Sequence, residues 1–238
     1  MASNFKFCDS VNYPDTRVDF DDVFVRKCVF IDMSPWVWGS GAAGRLGTNS
    51  TTNSSIPVQT VASGIRWDYI AAGISHTAAI KTDGTLWLWG LGTYGRLGDN
   101  TNTSKSSAVQ TVTTGNNWKQ VSLGRLHSAS IKTDGTLWLW GAGETGRLGN
   151  DSTTDRSSPV QTVSTGNNWK QVSLGDQHSA AIKTDGTLWL WGDGDSGILG
   201  NNSTIPHSSP VQTVSTGNNW KQVALGFYHS AAVTFTDN

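Results

Sequence analysis

The segment WKQVSLGDQHSAAIKTDGTLWLWG at residues 169–192 recurs almost letter for letter at 118–141, and more loosely at 67–90. Outward from it, Trp38, Trp89, Trp140 and Trp191 stand 51 residues apart. Trp36, Trp87, Trp138 and Trp189 keep the same spacing, as do Trp67, Trp118, Trp169 and Trp220. These three series account for all 12 tryptophans, so the aromatic content belongs to the repeat and not to a separate site. His76, His127, His178 and His229 follow the same period. A fixed period of this length marks a repeat architecture, in which each copy is one supersecondary unit that buries its apolar face only against its neighbours. The near-identity of QTVSTGNNWKQVSLG (161–175) and QTVSTGNNWKQVALG (212–226) points to recent duplication within the chain.

Each unit reads as four short strands, here T-L-W-L-W (85–89), V-Q-T-V (109–112), W-K-Q-V-S-L (118–123) and H-S-A-S-I-K (127–132). Asp83-Gly84, Asp134-Gly135 and Asp185-Gly186 read as two-residue hairpin turns with positive φ. Gly115-Asn116-Asn117 marks another turn. No window sustains a 3.6-residue apolar period, so almost no helix is expected. The T-L-W-L-W strand is apolar on both faces, with Leu86 and Leu88 on one and Trp87 and Trp89 on the other. Such a strand needs cover on both sides, which blades stacked around an axis supply. The expectation is therefore an all-β propeller of four 51-residue blades. The repeats begin at the strand holding Trp36 and Trp38 and stop after the His229 strand. The first strand is thus expected to complete the unfinished last blade by strand-sharing closure, which would remove exposed edges. The rivals are an open array and strands exchanged between chains.

The chain divides at about residue 33, into an arm at 1–33 and the repeat domain at 34–238. The 238 residues carry a net charge of −1 with no basic stripe, which argues against a nucleic-acid partner. Cys8 and Cys28 both precede the repeats, so no disulfide framework is expected there. No signal peptide or membrane-inserting stretch is read. The N-x-S/T triplets at Asn49, Asn102, Asn150 and Asn202 read as loop composition. The arm is too poor in apolar residues to fold alone. Its alternating Phe20, Val23, Phe24 and Val25 are the candidate anchor to a partner.

Two motifs imitate catalytic or cofactor chemistry. G-x-G-x-x-G occurs at 39–44, 90–95, 141–146 and 192–197, but no helix follows to hold a pyrophosphate. The glycines are read as tight turns at close blade contacts. Each histidine sits in G-x-x-H-S at a strand start, and fourfold recurrence argues for a structural bond to a turn backbone over a metal ring or a Ser-His-Asp device. Catalytic, cofactor and metal sites are accordingly expected to be none, and the protein is expected not to be an enzyme. The copies differ in their loops, at the pair after G-x-G and the pair before the histidine. Tyr94, Glu144, Asp195, Arg125, Asp176, Phe227 and Tyr228 are the candidate binding-loop residues, since variable loops on a rigid scaffold build recognition surfaces.

The block G-x-G-x-x-G-R-L-G, then S-S-P-V-Q-T-V, then W-K-Q-V-S-L-G-x-x-H-S-A-A-I-K-T-D-G-T-L-W-L-W-G resembles the RCC1 repeat over 34–238. That resemblance implies a β-propeller. The chain departs from the family at the residue after the third loop glycine, often Gln there, which is Arg45, Arg96, Arg147 and then Ile198 here. It also offers four units where the best-known members have seven blades. The exchange-factor and chromatin roles of those members are not carried over. The stretch Val18-Asp19-Phe20-Asp21-Asp22-Val23-Phe24-Val25-Arg26-Lys27 is similar to leader segments on tailed-bacteriophage structural proteins that carry such arrays. This second resemblance implies a virion protein (fibre, tail or capsid decoration), anchored by its arm and displaying loops to a host-surface protein, a glycan or neighbouring subunits, in a homo-oligomer taken as a trimer. The alternatives are a cytoplasmic bacterial scaffold or regulator that binds a partner protein and, third, a lectin using Tyr94, Phe227 and Tyr228.

Overall fold

A computed structural model describes residues 34–61, 66–112, 115–163, 166–215 and 217–235. The arm with Phe20, Val23, Phe24 and Val25 lies outside the described residues. The chain opens with β1 (Trp36–Gly39) and β2 (Ser54–Gln59), an antiparallel pair. Three complete four-stranded meanders follow. They are β3 (Trp67–Ala72), β4 (His76–Lys81), β5 (Leu86–Gly90) and β6 (Lys105–Gln110); β7 (Trp118–Leu123), β8 (His127–Lys132), β9 (Leu137–Gly141) and β10 (Arg156–Gln161); and β11 (Trp169–Leu174), β12 (His178–Lys183), β13 (Leu188–Gly192) and β14 (His207–Gln212). The chain closes with the pair β15 (Trp220–Leu225) and β16 (Ser230–Thr234).

The Asp-Gly turns differ in detail from the two-residue expectation. Only the glycine takes positive φ, as at Gly84 (79°). The aspartate is instead an acceptor: Asp83 Oδ1 takes the Thr85 N–H at 2.9 Å and the Thr85 hydroxyl at 2.6 Å. Thr85 Oγ1 then accepts from Trp87 Nε1 at 2.9 Å. The motif D-G-T-L-W therefore locks a turn and aims the next tryptophan. Lys81, opposite Trp67, rests its ammonium 4.3 Å from the Trp87 ring centroid, a cation–π contact repeated by Lys132 and Lys183. The fourth strand of each blade begins earlier than V-Q-T-V and includes the Ser-Ser-Pro run in β10 and β14, with Ser-Ser-Ala in β6. Proline is tolerated because this strand forms the outer edge, where a missing N–H disturbs no ladder.

Blades meet by a leucine face packing on a tryptophan face. Leu86, Leu88, Ala78, Ile80 and Leu97 of one blade enclose Trp118, Val121 and Trp140 of the next. Ala129, Ile131, Leu137, Leu139 and Leu148 do the same for Trp169, Val172 and Trp191. Each fully buried tryptophan lies over a glycine of the preceding unit: Trp89 over Gly47, Trp140 over Gly98, Trp191 over Gly149. A Cβ on Gly149 would come within 2.6 Å of the Trp191 indole nitrogen, so only glycine leaves room for the ring.

The expected strand-sharing closure is not formed. Among the described residues β1 pairs with β2 alone and β16 with β15 alone, so each end is half a blade and the repeats make an open arc. Trp38 is correspondingly 63% exposed, whereas its counterparts Trp89, Trp140 and Trp191 are fully buried, and Trp36 is 57% exposed where Trp87, Trp138 and Trp189 are half-buried.

Trp140→Ala removes the ring joining the first two complete blades and is expected to cost about 3–5 kcal/mol. Chemical denaturation followed by near-ultraviolet circular dichroism measures the loss.

Candidate functional site: a loop-lined bowl at one end of the arc

The innermost strands β3, β7, β11 and β15 lie side by side. They are stitched by side chains that repeat one unit later: Gln171 Oε1 accepts from Val223 N–H at 3.1 Å, and Ser173 Oγ from Leu225 N–H at 3.1 Å. In a meander, the β3–β4 and β5–β6 connections leave the same end. That end therefore collects both variable pairs, the G-x-G-x-x-G loops and the turns before each histidine. The Asp-Gly turns occupy the opposite end.

Each G-x-G-x-x-G loop is one 3-10 turn, such as Thr93–Gly95 or Glu144–Gly146, and offers no helix terminus to an anion. Its second variable residue sits at positive φ: Ala43 at 58°, Tyr94 at 62°, Thr145 at 60° and Ser196 at 58°. An aromatic side chain held there is a strained placement. The third glycine abuts the neighbouring blade, since a Cβ on Gly95 would lie 2.3 Å from Ser157 Cα.

The arginine after that glycine, buried at Arg96 and Arg147 and half-buried at Arg45, tethers the next pre-histidine turn. Arg45 Nη1 donates to Ile74 O at 2.9 Å, Arg96 Nη1 to Arg125 O at 2.9 Å and Arg147 Nη1 to Asp176 O at 3.4 Å. Ile198 occupies the fourth position and packs instead beside Leu190 and Leu199. The Phe227–Tyr228 turn thus lacks the guanidinium that the other turns have. Sequence reading noticed the arginine series without seeing this role. The constant spacing of 29 residues between donor and acceptor was the available signal.

The histidines bond across blades and not to a turn backbone. His76 Nε2 lies 2.9 Å from Ser128 Oγ, His127 Nε2 2.9 Å from Ser179 Oγ, and His178 Nε2 3.1 Å from Ser230 Oγ. Each serine hydroxyl is already donating, Ser128 to Arg96 O and Ser179 to Arg147 O at 2.8 Å. The histidine must therefore be the donor, which makes it the neutral Nε2–H tautomer. Burial, with a smaller push from the Arg96 charge, drops the His76 imidazole from 6.5 to about 3. Burial likewise lowers His127, helped by Arg147, and His178. No group of three or more His, Cys, Asp or Glu is placed to hold a metal among the described residues.

At the mouth of the axis the four pre-histidine turns line a cavity of about 400 Å³, including Ile74, Arg125, Asp176 and Phe227. Arg125 and Asp176 occupy one position in successive units and form an ion pair at 3.3 Å, with the carboxylate buried. The Arg125 guanidinium lies 5.5 Å from the Phe227 ring, and Phe227 meets Tyr228 edge-on at 4.4 Å. The sequence candidates Arg125, Asp176, Phe227 and Tyr228 thus come together. Tyr94, Glu144 and Asp195 stand on the surrounding loops of the same end. Tyr94 sits 5.7 Å from the Arg96 guanidinium, and Glu144 pairs with Arg147 at 3.5 Å. The Asp195 N–H donates to Asp193 Oδ1 at 3.2 Å.

These features define a β-propeller assembled from sequential four-stranded repeats, with a rigid inner wall and a variable loop end. The chain belongs to the Regulator of chromosome condensation (RCC1) repeat family, whose model matches at 36–80, 83–131, 134–182 and 185–233. It is 34% identical over 218 residues to the ultraviolet-B receptor UVR8 of Arabidopsis thaliana, covering 89% of this chain and 49% of the receptor. It is 35% identical over 214 residues to human E3 ubiquitin-protein ligase HERC2, covering 86% of this chain and 4% of the ligase. In structure it superposes on human WBSCR16 with a TM-score of 0.75 at 23% identity, covering 84% of this chain and 53% of that one. Yeast Prp20p, whose binding to Gsp1p and histones has been described, gives 0.72 at 21% identity, with 85% and 52% covered. The chain thus spans about half the length of the ultraviolet-B receptor.

The folded chain holds these histidines neutral, while the unfolded chain titrates them near 6.5. Stability is therefore full above about pH 6.5 and falls on acidification toward the depressed values, by up to about 1.4 kcal/mol per pH unit for each histidine. Thermal melts between pH 7.5 and 4.5 should show this slope, and His127→Gln should flatten it. Arg147→Lys keeps the charge but loses the fork, and is expected to lower the melting temperature through the loosened Asp176 turn.

Proposed function

We propose that this protein is a non-enzymatic binding module that presents its loop end to a protein partner. The observation that carries this reading is the convergence of Arg125, Asp176 and Phe227 on one concave surface. All three come from the turns in which the repeats differ, while the supporting strands stay nearly identical. An arginine braced by a buried carboxylate beside an exposed aromatic pair is the composition that dominates protein interfaces. Relatives named for receptor and ligase roles, and the Prp20p structure described with Gsp1p and histones, favour a protein as the partner class. The identity of that partner is specific to these loops.

The finer reading is a component of a phage particle, located in the virion, with the bacterial cytoplasm as the alternative location. Its support is the leader-like stretch 18–27, and residues 1–33 act there as the attachment arm of the 34–238 domain. In this setting the partners are other virion proteins at the arm and a host-surface protein or glycan at the loops.

Phe227→Ala and Arg125→Ala should each weaken partner binding by roughly tenfold or more, as expected for interface anchors. Lys119→Ala, exposed at the far end of β7, should leave it unchanged. Affinity capture with all three variants, quantified by mass spectrometry, checks this. Equal capture by all three would remove the loop end as the binding surface. Purified particles that contain no peptide of this chain would end the virion reading.

A further inference from the structure

The two half-blades are complementary, and the seat left empty at one end matches the plug exposed at the other. We propose that two copies of this 238-residue chain join head to tail through these ends, each supplying half of two shared blades. β15 and β16 occupy the positions of β3 and β4 in a complete blade, and β1 and β2 those of β5 and β6. Within a blade, β4 and β5 pair as His76↔Gly90, Thr77↔Trp89, Ala78↔Leu88 and Ala79↔Trp87. Transposed by whole periods, the same register reads His229↔Gly39, Ser230↔Trp38, Ala231↔Val37 and Ala232↔Trp36. Among the described residues the outer edges of β16 and β1 are unpaired, and they carry the residue types that already pair three times within the chain.

The side chains agree. Gly47, Gly98 and Gly149 each press against a buried indole, but a Cβ on the equivalent Gly200 would meet only Thr213 Cγ2, at 3.7 Å. The space above it is a cavity of about 210 Å³, lined by Leu190, Ile198, Leu199, Trp220 and Val223, the apolar set that encloses a tryptophan elsewhere. The acceptor is also in place. Arg96 O and Arg147 O each take a serine hydroxyl and an indole N–H, from Trp140 and Trp191 at 2.9 Å. Ile198 O has its serine, Ser230 at 2.7 Å. The residue that occupies the seat in the repeat pattern is Trp38, which is 63% exposed at the opposite end of the arc.

Two copies give six complete and two shared blades, eight in all. Propellers run from four to eight blades, so a third copy would overfill the ring. The arc also covers 53% and 52% of the two chains it superposes on, so two arcs match the length of one such chain. A pair of chains replaces the trimer expected from sequence.

The test is sedimentation of the full 238-residue chain. One copy weighs 25.5 kDa, and a species of twice that mass is expected. Trp38→Ala should raise the dimer dissociation constant on the order of 100-fold. Gly200→Asn fills the seat with a residue that tolerates positive φ, and should raise it roughly tenfold or more while the three complete blades stay folded. In a background with Cys8→Ser and Cys28→Ser, Val37→Cys combined with Ala231→Cys should form a disulfide between chains. A monomer at micromolar concentrations, a disulfide within one chain, a trimer, or dimers unaffected by both seat variants would overturn the proposal.

Discussion

One contact organises the protein: an indole ring laid over a glycine of the preceding unit, with its N–H on the carbonyl two residues before that glycine. Trp140 over Gly98 and Trp191 over Gly149 show it complete, each bonded at 2.9 Å to the arginine carbonyl. The ring needs a glycine beneath it, leucines from the facing sheet around it, and a carbonyl within reach. Three of the conspicuous letters of the repeat, W, G and L, are thus terms of a single interface. Burying a tryptophan removes on the order of 200 Å² from water, so a chain with little other apolar content concentrates its cohesion there.

A second layer of bonds rests on the same carbonyls. Ser128 shares Arg96 O with the indole, and His76 reaches the serine from the blade before. Each blade is thereby tied to its neighbour through one acceptor that collects an aromatic N–H, a hydroxyl and, indirectly, an imidazole. Because the imidazole must stay uncharged, the network works in the neutral tautomer only. The buried arginine side chain of the same residue reaches toward the loop end and holds the neighbouring pre-histidine turn, so the loop end inherits its rigidity from the blade interface.

The strands, turns and blade order were legible in the sequence because they are local or periodic. Asp83, Gly84 and Thr85 announce a turn, and the tryptophan series announces its partner positions one period away. The histidine bond was not legible as drawn, since its acceptor Ser128 lies 52 residues off and acts only when blades stack. Nor was the arc's openness. Whether β1 meets β16 depends on a small rotation accumulated over every unit, and no single residue encodes it. Of the candidate site, the clustering of Arg125, Asp176 and Phe227 followed from their shared position in the repeat. The exception at Ile198 was visible as a letter, but its meaning, a turn without its tether, required the geometry.

The sameness of the seats has a cost in folding. Gly47, Gly98, Gly149 and Gly200 offer nearly indistinguishable receptors, and four equivalent indoles compete for them. Side-chain chemistry barely selects which indole docks where, so the pairing is decided by chain connectivity, since the nearest seat along the backbone closes the shortest loop. At high concentration that advantage shrinks, and a neighbouring molecule's indole becomes a rival of equal chemical standing. Slow refolding with tangled, chain-exchanged species is the characteristic hazard of such near-identical arrays.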